Sequence, residues 1–257
     1  MTTLRALRRA LLLIVHVLLG LLLTPLVGRR IPSGAWRTHP EVASWWHNRL
    51  CDILGVELTV SGPRPRGPAL LVSNHVSWLD IVVLGGLTPT VFLSKHEVRH
   101  WPLLGWLAAR AGTLFIRRGD GEAGDVKDQI AARLRGDTLL TLFPEGTTTD
   151  GLGVRHFFSR LFAAAIESDA RVLPVALRYH VDGRHDPVAP YTGNQSLASN
   201  LAGLLGRART QVHVTFAEPI APQGRSRREL AEAARAAVVG ALASPRPLTG
   251  VRVTAVV

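Results

Sequence analysis

The chain has 257 residues, of which 47% are hydrophobic, and carries 30 Lys and Arg against 19 Asp and Glu for a formal charge of +11. That length and apolar content support one large or two small packed domains and exclude wholesale disorder, and the single cysteine, Cys51, excludes an internal disulfide framework and cysteine-built zinc sites. The surplus of cations points to an anionic partner: lipid headgroups, nucleic acid or an acidic carrier.

Ala10 to Val27 is apolar except for His16, Gly20, Thr24 and Pro25. As a helix it would reach roughly 27 Å, close to the thickness of a bilayer core. Arg5, Arg8 and Arg9 precede it, and Arg29 and Arg30 follow. A cleaved signal peptide fits the charged start, but no small-x-small cleavage site follows. The segment therefore reads as one that spans the membrane or dips in and returns, and cations at both ends leave its orientation open. Next, Val42, Trp45, Trp46, Leu50, Ile53 and Leu54 fall on one helical face, with Glu41, Ser44, Asn48 and Asp52 elsewhere. That face suits either a domain core or a membrane interface. Residues 1–54 are thus expected to form a membrane segment and an amphipathic interfacial helix, and residues 55–257 one catalytic domain.

From Val56 the pattern alternates. Val56–Val60, Ala69–Ser73, Thr90–Ser94, Thr113–Ile116, Thr138–Phe143, Arg171–Tyr179 and Gln211–Phe216 read as strands. Trp78–Leu87, Leu103–Ala111, Asp125–Leu134, Phe157–Ser168, Leu197–Arg209 and Arg228–Leu242 read as helices. The alternation predicts an α/β fold with a mixed, largely parallel sheet covered by helices. A late cluster, Arg225, Arg227 and Arg228, is either a carrier contact or a solvated face.

Two motifs compete weakly for the chemistry. His96-Glu97-Val98-Arg99-His100 matches the H-E-x-x-H zinc-protease string. Pro102 stops a helix there, and Lys95 and Arg99 oppose a metal cation. Gly119-Asp120-Gly121-Glu122-Ala123-Gly124 matches G-x-G-x-x-G, but Asp120 and Glu122 would repel a pyrophosphate. No aromatic stacking platform interleaves the arginines, so nucleic acid is not the expected partner.

A third motif fits its context. Strand Ala69–Ser73 delivers Asn74 and His75 at its carboxyl end, where open α/β sheets bind ligands. Asp80 follows about one turn into the next helix. It can accept a proton from one imidazole nitrogen and leave the other basic, as the base and orienter of a catalytic triad do. No G-x-S-x-G elbow supplies a nucleophile, so the base would act on a substrate hydroxyl. A structural histidine beside a turn-capping aspartate is the bland alternative. Three further blocks follow in order: Gly112, Phe115 and Arg118; Phe143-Pro144-Glu145-Gly146-Thr147; and a buried strand around Pro174.

That ordered set resembles the 1-acyl-sn-glycerol-3-phosphate acyltransferase (lysophosphatidate acyltransferase) family, from about Trp45 to Ile220. Lys95, followed by Pro102 and Gly105, is similar to the family's segment between the first two blocks, which explains the histidine string without zinc. Thr148 departs from the Arg or Ser of many members. The resemblance implies an N-terminal helical membrane motif and a location on the cytoplasmic face of the inner (plasma) membrane. It implies transfer of a fatty acyl group from an acyl thioester, on coenzyme A or acyl carrier protein, to a lyso-lipid hydroxyl, with no cofactor and no metal. The expected acceptor is 1-acyl-sn-glycerol-3-phosphate, giving phosphatidate; lyso-ornithine lipid is the alternative. His75 and Asp80 would be catalytic. Asn74, Lys95, Arg118, Glu145, Gly146 and Thr147 would bind substrate, Lys95 and Arg118 at the acceptor phosphate. Backbone N–H groups near Gly146 are the candidate oxyanion donors.

Overall fold

The continuous apolar run Ala69–Ser73 forms a strand in which every residue is buried, as expected where both faces of a sheet are covered. It lies at the centre of a computed structural model that describes residues 2–30, 36–65, 67–116, 123–136, 138–244 and 251–253. In chain order these form α1 (Thr2–Leu23), β1 (Gly28–Arg30), β2 (Trp36–Thr38), α2 (Pro40–Leu54), β3 (Val56–Ser61), β4 (Ala69–Ser73), α3 (Leu79–Leu87) and β5 (Val91–Lys95). A 3-10 turn (His96–His100) leads to α4 (Leu104–Arg110), β6 (Leu114–Ile116), α5 (Ala123–Arg135) and β7 (Leu139–Leu142). A second 3-10 turn (Ser159–Phe162) opens α6 (Ala163–Ser168), followed by β8 (Arg171–Val181), β9 (Arg184–His185), α7 (Leu197–Gly206), β10 (Thr210–Phe216), α8 (Arg227–Ala243) and β11 (Val251–Val253).

The main sheet has the order β11-β3-β10-β8-β4-β7-β5-β6, with β9 folded back on β8. β7 and β8 flank β4 in parallel, and β5 is parallel to both β7 and β6. β10 is antiparallel to β8 and parallel to β3. The sheet is therefore mixed and largely parallel, and the carboxyl ends of β4, β5, β6, β7 and β8 share one rim. Alternate residues feed two cores. Leu71, Val175 and Leu177 pack with α2, α3 and α7. Leu70, Val72 and Val172 pack with α5, α6 and α8.

Departures from the expected boundaries have local causes. The helix expected over Phe157–Ser168 starts late, because the Phe158 N–H donates to the Pro144 carbonyl and ties that stretch to the loop after β7. α7 ends at Gly206 because Arg207 is extended and pairs with buried Asp186 at 2.6 Å. The β1–β2 hairpin was not expected at all.

α1 packs against α2 and α7 with two polar residues, Arg9 and His16, turned inward. Arg9 and His16 are buried, while Leu7, Leu11, Ile14, Leu18 and Leu22 are exposed. Arg9 Nη1 and Nη2 donate to the carbonyls of Arg207 and Ala208 at 2.7 and 3.1 Å. The room for this is made by Gly55, whose φ of +71° caps α2 and where a Cβ would sit 1.8 Å from Arg9 Nη2. His16 Nε2 meets the Trp46 carbonyl at 3.1 Å, and its ring stacks on the Trp46 indole. Among the described residues α1 is the one helix long and apolar enough to cross a membrane.

Replacing Arg9 by Met leaves two partly buried carbonyls without donors. The expected cost is about 1–3 kcal/mol, seen as a lower melting temperature and faster hydrogen exchange across the first turns of α1. Unchanged exchange would show that apolar contact alone holds the helix.

Candidate active site

The site starts where β4 ends. Asn74 is fully buried, and its side-chain amide closes a two-bond clamp on β8. Nδ2 donates to the Leu177 carbonyl at 2.9 Å, and the Leu177 N–H donates to Oδ1 at 2.8 Å. The clamp extends the ladder by one residue and fixes His75 at the rim. The His75 backbone is held twice more. Its N–H donates to Glu145 Oε1 at 2.8 Å, and its carbonyl accepts from the Thr149 N–H at 2.8 Å and Oγ1 at 3.2 Å.

Asp80 lies in the first turn of α3 and is fully buried. Its Oδ2 accepts from His75 Nδ1 at 2.8 Å and from the N–H groups of Val76 and Ser77 at 2.7 and 3.0 Å. Its Oδ1 accepts from the Tyr179 hydroxyl at 2.6 Å. An ionised carboxylate only accepts, so the proton of the neutral imidazole sits on Nδ1 and the basic lone pair on Nε2. The His75 ring stacks on Phe143, centroids 4.0 Å apart and planes 13° from parallel. One edge of the imidazole is left open, with the side chain 18% exposed, and among the described residues Nε2 has no hydrogen-bond partner. Burial and the adjacent Asp80 charge push the Tyr179 hydroxyl well above its ordinary range, so it stays a donor.

Glu145 is the second buried carboxyl at this site. Besides His75 it accepts from the Arg155 N–H, at 2.7 Å on Oε2. Burial pushes its pKa above the usual carboxylate value, against the two N–H bonds, which pull it down. Gly146 turns the chain at φ +69°, its N–H donating to the Phe143 carbonyl at 3.1 Å. Thr148 Oγ1 donates to the Tyr191 carbonyl, and the Tyr191 N–H donates to the Val76 carbonyl at 2.9 Å. The β4–α3 turn, the loop after β7 and the loop before α7 are thus interlocked.

The structure brings His75 and Asp80 together in the geometry that a base and its orienter require. Asn74, Glu145 and Gly146 stand beside them, but their polar atoms are committed to the protein's own backbone. Thr147 is exposed at the same rim, as is Lys95 at the end of β5. Lys95 is in register with Ile116 of β6, two residues before Arg118. Arg118 itself lies outside the described residues, as do residues 119–122 of the glycine string. The His96–His100 string forms an exposed 3-10 turn, its two Nε2 atoms 3.3 Å apart. Among the described residues no group of three ligating side chains accompanies it. Sequence reasoning missed Tyr179, Phe143 as the stacking partner, and Tyr191. One signal was available: the chain has only two tyrosines, and both stand at the site.

The acyltransferase family model matches residues 56–178. A lyso-ornithine lipid O-acyltransferase of Pseudomonas aeruginosa is 47% identical over 93% of both chains. The chain belongs to this acyltransferase family. A 1-acyl-sn-glycerol-3-phosphate acyltransferase of Neisseria meningitidis is 33% identical, over 63% of this chain and 65% of its own. The crystal structure of the 1-acyl-sn-glycerophosphate acyltransferase PlsC of Thermotoga maritima shares the fold, with a TM-score of 0.67, 21% identity and coverage of 96% and 98% of the two chains. These relatives are, by name, acyltransferases of the lysophospholipid type.

Two substitutions separate orientation from scaffolding. Tyr179→Phe leaves Asp80 Oδ1 buried without its donor and should lower kcat about tenfold at unchanged KM; equal rates would show that three donors suffice. Glu145→Gln replaces one accepting oxygen with a donor facing an N–H. It should cost about 1–3 kcal/mol of stability, read as a drop in melting temperature and faster proteolysis within residues 145–158.

Proposed function

We propose that this acyltransferase moves a fatty acyl group from a thioester to the hydroxyl of lyso-ornithine lipid. The observation that carries the acyl-transfer chemistry is the His75–Asp80 pair, with Nε2 open at the rim. His75 Nε2 accepts the proton as the lipid hydroxyl oxygen attacks the thioester carbonyl. Asp80 steadies the imidazolium through Nδ1–H. The tetrahedral intermediate then collapses. The carbon–sulfur bond breaks, the thiolate leaves, and the imidazolium proton neutralises it. Atoms and charges balance without metal or redox chemistry. Coenzyme A and acyl carrier protein are both acidic thioester carriers, in keeping with the +11 charge.

Two observations favour the ornithine-bearing acceptor over the phosphate-bearing one expected first from the sequence. The Pseudomonas relative matches at 47% over nearly the whole chain. Thr148, where many family members carry Arg or Ser, is committed to the Tyr191 carbonyl. A second reading, 1-acyl-sn-glycerol-3-phosphate, is favoured by exposed Lys95 at the end of β5. α1 supports membrane attachment, since among the described residues nothing covers its outward leucines and inward Arg9 and His16 tie it to the domain. It meets lipid along one face, on the cytoplasmic side of the inner membrane, where soluble acyl donors arrive.

One assay tests the reading. Wild type and His75→Ala are reconstituted in vesicles and offered lyso-ornithine lipid or lysophosphatidate, each with acyl-coenzyme A or acyl carrier protein. The expected result is ester formation on lyso-ornithine lipid, lost at least about a hundredfold in the variant with vesicle binding retained. Preference for lysophosphatidate would select the second reading. Turnover by His75→Ala would remove the base.

A further inference from the structure

We infer that the catalytic domain makes its own contact with an anionic bilayer through the segment Trp101–Trp106, separate from the contact made by α1. The inference rests on the membrane reading above and adds a second point of attachment to it.

Trp101, Leu103, Leu104 and Trp106 are 43%, 52%, 40% and 36% exposed. Elsewhere beyond α2 the exposed large apolar residues Leu152, Phe158, Ile166 and Val239 are scattered along the chain, as is ordinary for a soluble surface. Four within six residues form a patch of the kind that marks an interaction site. The backbone holds this patch outward. Leu103 has φ +63° and ψ −58°, and the Leu104 N–H bonds the Pro102 carbonyl at 2.6 Å. This is a γ-turn of the rare positive-φ kind, strained for a bulky residue. The turn is rigidly backed. A Cβ on Gly105 would lie 2.4 Å from the Arg99 carbonyl oxygen and 2.5 Å from that of Val98, so α4 sits backbone to backbone on the 3-10 turn.

Two observations name lipid as the occupant. The first is proximity to α1. Gly20 of α1 is closed in by Trp46 and by Leu107 of α4, which lie 2.9 and 3.8 Å from where a Cβ would stand. Gly20 lies on the buried side of α1, so α4 packs against the domain at the same end as the carboxyl-terminal half of α1. The second is charge. Lys95 and Arg99 are exposed next to the patch, and the Arg110 guanidinium lies over the Trp106 ring, 5.3 Å from its centroid. Tryptophan with flanking cations is the composition of a membrane–water boundary carrying anionic lipid. The segment follows β5, so it lies beyond the same rim as His75 and would hold that rim at lipid level.

The test uses the full chain with Leu104→Cys carrying an environment-sensitive fluorophore. Cys51 is buried, its thiol pushed up to about 12, so it escapes labelling. On vesicles of phosphatidylglycerol and phosphatidylcholine the label should shift to the blue and be quenched by lipid-borne nitroxide. Aqueous iodide should reach it poorly. Leu103→Gly supplies the kinetic arm, because glycine accepts the positive φ and only the side chain is lost. The apparent KM for lyso-lipid in vesicles should rise about tenfold, the equivalent of one leucine leaving lipid, while turnover of a short-chain soluble acceptor is unchanged. A label open to iodide on vesicle-bound protein overturns this contact and leaves the α1 reading intact. Protein that fails to sediment with vesicles overturns both. A blue shift that follows protein concentration and ignores vesicles assigns the patch to a second copy of the chain.

Discussion

A carboxylate sealed from water must have its lone pairs answered, or burying it costs several kcal/mol. Asp80 meets that demand with four donors: an imidazole, two backbone amides and a phenol. These donors come from the turn after β4 and from β8, so the ion holds its position only while both are in register. The Asn74 clamp on Leu177 sets that register. The imidazole is thus oriented by the packing of the sheet itself. The loops need only keep its outer edge clear.

The second buried carboxyl at this site does different work. Glu145 grips the backbone of His75 and of Arg155, turning two motifs far apart in sequence into one rigid rim. The two acids therefore divide the task. Asp80 fixes the ring's tautomer and direction, and Glu145 fixes where the ring's backbone stands. Phe143 supplies the flat wall against which the ring stacks. One nitrogen remains for chemistry, which fits direct attack by a substrate hydroxyl and needs no nucleophile on the enzyme.

The legible parts of this arrangement were those with a local signature. The unbroken apolar run of β4, the five-residue interval from His75 to Asp80, and the glycine turn after β7 are visible in short windows, and their meeting at one rim follows from parallel strand order. Tyr179 was not legible, because its contact to Asp80 spans 99 residues and depends on strand register. The role of Thr148 was hidden for a related reason. Its sequence position showed only a departure from the family, while its hydroxyl answers a carbonyl in a loop 43 residues on. The β1–β2 hairpin joins three-residue strands containing three arginines, too short and too polar to stand out from a loop.

α1 inverts the usual rule of burial. A helix on a soluble domain turns its apolar stripe inward, yet here Arg9 and His16 face protein while a row of leucines faces out. The inward groups are not tolerated passengers, since each is hydrogen-bonded to a backbone carbonyl. A sequence that fixes its polar face to the domain leaves the leucine face no protein surface to cover. On the proposed reading the solvent that satisfies it is a bilayer, which would complete the fold instead of merely receiving it. The proposed acceptor is itself a component of that solvent. Lipid and His75 can then meet at the rim by diffusion in two dimensions. This removes the need to extract the acceptor into water, which for a long acyl chain is the larger barrier at about 0.8 kcal/mol per methylene.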